Sequence, residues 1–179
     1  RDGRVYLTAE GGDIDSGGSI DVAGEGNGDG GQASLDSDGT TIVSGTIDAG
    51  SGETGDHGGG VEVLGDRVGL ANGCRIDASG AQGGGEVLVG GDYQGNNADI
   101  RNASRTFVGE SARIFADALD SGDGGRVIVW SDEVTRFYRS ISATGGDLFG
   151  DGGFAEISGK QTLGFYGAAD LGAPFGAVG

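Results

Sequence analysis

Apolar residues recur along this chain in pairs separated by one intervening side chain, and each pair follows two glycines. The runs are Gly30-Gly31-Gln32-Ala33-Ser34-Leu35, Gly59-Gly60-Val61-Glu62-Val63, Gly84-Gly85-Glu86-Val87-Leu88-Val89, Gly124-Gly125-Arg126-Val127-Ile128-Val129 and Gly152-Gly153-Phe154-Ala155-Glu156-Ile157. A shortened copy, Asp2-Gly3-Arg4-Val5-Tyr6-Leu7, opens the chain. Alternation with a period of two places one set of side chains on a core face and the other on a solvent face, so each run predicts a half-buried strand. From Val5 the first core position recurs at Ala33, Val61, Val87, Val127 and Ala155, at spacings of 28, 28, 26, 40 and 28 residues. A fixed period of this length is the signature of a solenoid.

Two more strands fit within each period. One precedes each cassette: Ser19-Ile20-Asp21-Val22, Thr46-Ile47-Asp48-Ala49, Arg75-Ile76-Asp77-Ala78, Arg113-Ile114-Phe115-Ala116 and Ser140-Ile141-Ser142-Ala143. A weaker one follows it: Thr41-Ile42-Val43, Arg67-Val68-Gly69-Leu70, Thr106-Phe107-Val108, Thr135-Arg136-Phe137-Tyr138 and Thr162-Leu163-Gly164-Phe165. Three short strands per turn, joined by Gly and Asp corners, predict an all-β, three-sided parallel β-helix. It has about five to six coils of 26–28 residues, with equivalent strands stacked about 4.8 Å apart. The β-helix is expected over residues 1–166, with residues 167–179 a Gly/Ala-rich tail or the start of a further coil. The long spacing between Val87 and Val127 places an insertion at about residues 90–104. Sandwiches and closed barrels expect hairpin turns every 8–12 residues and no constant long period.

Composition sharpens this. Of 179 residues 43 are glycine, with one proline, so the glycine is not collagenous. The formal net charge of -17, from 28 acidic against 11 basic residues, leaves no basic stripe for nucleic acid or anionic membrane. No apolar run is long enough to cross a membrane as a helix. The single cysteine, Cys74, excludes an internal disulfide. Without an initiator Met or a signal-like start, the chain is expected to be a processed product or a segment of something longer.

Several runs resemble the filamentous-haemagglutinin-like exoproteins of two-partner secretion. They are Arg75-Ile76-Asp77-Ala78-Ser79-Gly80 with Gly83-Gly84-Gly85, Val89-Gly90-Gly91-Asp92-Tyr93-Gln94-Gly95, Gly122 through Asp132, Gly152 through Lys160, and Asp170-Leu171-Gly172-Ala173-Pro174. The resemblance spans about residues 45–174. It implies a right-handed β-helix, export to the exterior or surface of a Gram-negative cell, and an adhesive or matrix role. By this resemblance the chain is expected to be β-helical shaft without the family's amino-terminal secretion domain.

Two sets of residues are candidate sites. In the insertion, Asp92, Tyr93, Gln94, Asn96 and Asn97 suit surface carbohydrate, because an aromatic face stacks on sugar and amides fork to hydroxyls. The competing role is a lid: Leu88 and Ile128 occupy outward positions on neighbouring strands and need cover. At the corners, Asp29, Asp56, Asp123 and Asp151 each precede the glycines and stack at about the rung spacing. They are candidate calcium ligands, although the alternative is a set of turn residues hydrogen-bonding their own backbone. No other cofactor is expected.

The remaining candidates are weaker. The outward column Asp21, Asp48, Asp77 raises acid–base catalysis on polysaccharide, but nothing selects these three from the other acids, and the chain is expected not to be an enzyme. His57 is a lone corner residue, Cys74 a small filler, and Trp130 with Tyr138 an outward aromatic pair whose expected role is to cover a neighbouring loop. The predicted function is a secreted structural or adhesive exoprotein segment that forms fibres, with end-to-end self-association as the expected contact. A carbohydrate-binding adhesin acting through residues 90–104 is the alternative, and a β-helix lyase or hydrolase a more distant one.

Overall fold

The computed structural model describes residues 3–51, 56–71 and 73–179; Asp2 of the opening copy lies outside them. The chain winds through six coils of three strands each. The first coil holds β1 (Arg4–Ala9), β2 (Ile14–Ser16) and β3 (Ser19–Asp21), and the second β4 (Gln32–Ser37), β5 (Thr40–Val43) and β6 (Thr46–Asp48). The third holds β7 (Gly60–Leu64), β8 (Arg67–Leu70) and β9 (Arg75–Asp77), and the fourth β10 (Glu86–Val89), β11 (Arg105–Val108) and β12 (Arg113–Phe115). The fifth holds β13 (Arg126–Val129), β14 (Val134–Phe137) and β15 (Ser140–Ser142), and the sixth β16 (Phe154–Ile157), β17 (Thr162–Phe165) and β18 (Ala168–Asp170). First, second and third strands of successive coils form three six-stranded parallel sheets.

The register is the one the spacing predicts. Val5, Ala33, Val61, Val87, Val127 and Ala155 pair in sequence up the first sheet, across the long interval as well as the short ones. Ile20, Ile47, Ile76, Ile114 and Ile141 stack likewise in the third sheet. With Val43, Leu70, Val108 and Phe137 from the second sheet they fill the prism's interior, and small residues such as Ala49, Ala78, Ala116 and Ala143 occupy the corner beside the isoleucines. Each fully buried Ile, Val or Leu contributes about 1.5–3 kcal/mol. The strands β2 and β18 have no counterpart in the sequence pattern: β2 carries one aliphatic residue, and β18 is Ala-Ala-Asp with every residue exposed.

The corner between third and first sheets explains both the glycines and the aspartates. The glycine two residues before each first core position donates its N–H to the carbonyl of the residue that follows the third strand, as in Gly59 to Ala49 and Gly85 to Ala78, each at 2.7 Å. A Cβ on Gly85 would fall inside van der Waals contact of the Gly59 carbonyl, and one on Gly59 would strike that of Gly31. Close approach of coil to coil therefore demands glycine there. Entering the same corner, Asp21, Asp48, Asp77 and Asp170 each accept the amide two residues on, at 3.0–3.1 Å. These side chains set the bend, a role beyond the solvation of a strand face.

Candidate functional site

The insertion at residues 90–104 leaves the fourth coil between β10 and β11 and folds back over the first sheet. Its departure uses left-handed backbone at Gly90 and Gln94 (φ 77° and 54°). Gln94 lies in a single 3-10 turn, Tyr93–Gly95, capped by Asp92.

Beneath the loop sits an apolar patch outside the main core. Leu88 and Ile128 face each other in register and are buried with Trp130, and Ile100 of the loop packs onto them. Their outward positions in the other coils hold Tyr6, Ser34, Glu62 and Glu156, so the loop covers the two aliphatic residues of this file. The loop is therefore a lid, as the exposed-apolar argument expects. Trp130 belongs under this lid, whereas Tyr138 stacks on Tyr166 at 5.1 Å and meets Phe107 at 5.7 Å in a separate aromatic file. The two are not an outward pair.

The rim is polar and tied to several coils. Arg126 bridges Glu86 and Asp92. Asp92 also accepts the Tyr93 amide at 2.6 Å and the Asn97 side chain at 2.8 Å. Burial pushes the Asp92 carboxyl up, but the bonds from Asn97, Tyr93 and Arg126 outweigh it and hold the group below its ordinary range. Gln94 donates its amide to Glu156, and Arg101 reaches across to Asp36 and Asp38 at 3.2 and 2.7 Å. The Asp38 carboxyl is held down by the Gly11 amide and by Arg101.

Of the predicted carbohydrate contacts, Asp92 is thus engaged in holding the loop, while Tyr93, Gln94, Asn96 and Asn97 are exposed. Tyr93 meets Phe154 edge-on at 5.7 Å, adding an aromatic that the motif reading lacks. Glu86, Arg126 and Glu156 were also missed, though their signal was present: Glu86 and Arg126 hold the same cassette position one coil apart.

At the corners, the carboxylates reach the next coil rather than their own turn. Asp29 accepts the amide of His57 at 2.9 Å, Asp123 that of Asp151 at 2.8 Å, and Asp151 that of Ala177 at 2.7 Å. Asp56 is buried. Among the described residues no three His, Cys, Asp or Glu side chains converge as metal ligands would. His57 is exposed and pairs with Gly83 through backbone. Cys74 is a buried core residue whose thiol burial pushes up to about 12. No helix among the described residues is long and apolar enough to cross a membrane.

No protein-family model matches the chain, and no curated protein does. Among solved structures it is similar to the HMW1 secretion domain from Haemophilus influenzae, at 28% identity with a TM-score of 0.74. The alignment covers 97% of this chain and 47% of that one, so the chain spans about half the length of the structure it matches. The expectation of a shaft bearing no likeness to a secretion domain needs revision on this point, because the structure matched is itself a secretion domain.

Proposed function

We propose that this chain is part of the β-helical body of an exoprotein exported by two-partner secretion, serving as a structural or adhesive element at the surface of a Gram-negative cell. The observation that carries this reading is the likeness, over nearly the whole chain, to a domain named for secretion. The sequence runs quoted above point independently to the same class of exoprotein. Among the described residues, the terminal strands β16, β17 and β18 are each paired along one edge only. Further rungs, from the same chain or from another copy end to end, extend such a prism into a fibre.

The reading assigns no catalysis. Asp21, Asp48 and Asp77 each hold their own corner, and Asp77 also pairs with Arg75. A carbohydrate-binding role is favoured by one observation, the exposed Tyr93–Phe154 pair beside the exposed side chains of Asn96 and Gln94. Glycan-array binding tests it: retention lost in Tyr93→Ala and Phe154→Ala supports an adhesin, and no retention leaves the structural role. Negative-stain imaging tests the structural role, which predicts rods or fibres built from the prism; compact particles without a long axis at any concentration would sink it.

A further inference from the structure

Two surfaces on opposite sides of the prism complement each other. The outer face of the second sheet carries an apolar groove of about 380 Å³. Its floor is Gly69, which lies in register between Ile42 and Phe107, both partly exposed large side chains. The absent side chain is the notch. Arg67, Arg105 and Arg136 rim it, a concentration of cations in a chain with only 11. Arg67 and Arg105 have loose surface partners, at 3.7 Å to Asp66 and 3.4 Å to Glu133. Among the described residues the Arg136 guanidinium has no carboxylate partner.

The corner joining third and first sheets lies opposite this face in a three-sided prism. There Leu119, Leu148 and Phe149 project, at 54%, 69% and 63% exposure, from two successive coils. The coils are locked together beneath them by the Leu148 amide on the Asp120 carbonyl and the Gly122 amide on the Phe149 carbonyl, both 2.8 Å. Exposed Asp120, Asp147 and Asp151 flank the ridge. An apolar ridge bordered by acids is the converse of an apolar groove bordered by arginines.

We infer that a second copy of this chain seats its Leu148–Phe149 ridge in the Gly69 groove, with Asp147 and Asp151 facing the arginine rim. Contiguous exposed apolar surface rimmed by charge marks an interaction site. Apolar anchors supply the affinity, and paired charges set orientation and suppress wrong partners. The two surfaces differ and lie on opposite sides, so the contact is heterologous and does not close; copies add sideways into an open row. This lateral contact is distinct from end-to-end stacking and does not depend on the export proposed above.

Sedimentation velocity over a concentration series tests it with two variants. Gly69→Glu fills the groove with a carboxylate, and the site has room, since a Cβ there meets only Ile42 at 3.8 Å. The double variant Leu148→Ser, Phe149→Ser strips the ridge on exposed positions. Matching circular dichroism and urea midpoints confirm that both fold. The wild-type chain is expected to grow in mass with concentration, each variant to stay monomeric, and their equimolar mixture to stop at one-to-one dimers. That mixture contains one intact groove and one intact ridge. A wild-type chain that stays monomeric overturns the inference. So does association that persists in both variants, which would point to the sheet edges, or a mixture that stays monomeric.

Discussion

The hydroxyl of Thr106 donates to the carbonyl of Trp130, one coil further on, at 2.6 Å in a buried corner. Thr41 to Leu64 and Thr135 to Ser158 repeat the bond at the same length. It ties the turn after the first sheet to the start of the second sheet in the coil before. Val68 occupies the equivalent place in the third coil, in register with Thr41 and Thr106, so valine fits there sterically. Thr106→Val should therefore remove this hydrogen bond without overpacking, and Thr135→Val both this bond and the one with the Ser131 hydroxyl at 2.8 Å, at a cost of about 1–3 kcal/mol per bond. Urea unfolding measures this; unchanged midpoints in both would show that the corner bond is dispensable.

Arg126 holds the lid by bridging Glu86 and Asp92. Arg126→Ala should free residues 93–99, and limited proteolysis should cut there several-fold faster while the coils stay intact. Replacing Leu88 and Ile128 by Ser should have the same effect from beneath. If neither accelerates cleavage in the loop, the lid does not depend on these contacts.

The lid also has a defined acid limit. Asp92 is held below the ordinary carboxylate range when the loop is closed. Its contribution to closure is then fully present above about pH 4 and is lost as pH falls through the lowered value. Trp130, the one tryptophan in the chain, lies under the loop and reports opening by a red shift of its emission. The shift should begin only below about pH 4 and flatten in Asp92→Asn. A transition centred between about pH 5 and 7 would contradict the assignment to Asp92.

Cys74 offers a probe of the core. Burial lifts its thiol to about 12, so almost none is thiolate at neutral pH, and the native protein should resist iodoacetamide. Labelling should appear only across the urea transition. Rapid native labelling would mean that the third coil opens locally at that corner.

Gly85 tests the corner geometry. Gly85→Ala drives a Cβ into the Gly59 carbonyl of the preceding coil and should destabilise strongly, by about 3 kcal/mol or more. Gly69→Ala, on an open face, should be near neutral. Equal effects of the two would mean that close coil approach is not what selects glycine.

Much of this architecture is legible in the chain because a solenoid writes its register as a period. Val87 and Val127 pair despite their long separation, since the insertion loops out and the coil resumes in phase. The lid was legible for a related reason: Leu88 and Ile128 are the two aliphatic residues in an outward file that otherwise holds Tyr6, Ser34, Glu62 and Glu156. Less visible were contacts that cross coils through side chains, such as Arg101 on Asp36 and Asp38, because no spacing rule links them. The Asp48 turn and the corner carboxylates were seen as residues, but their partners depend on how closely the coils approach. The strand β18 escaped notice because Ala-Ala-Asp at an exposed edge carries no alternation.

The central claim is that this β-helix acts outside the cell. Immunogold microscopy on intact cells of the source organism tests it most directly, using antibodies raised against the exposed face of the lid around Tyr93, Gln94, Asn96 and Asn97. Label on unpermeabilised cells or on material extending from them is the predicted result. Label confined to the interior, appearing only after permeabilisation, would contradict it.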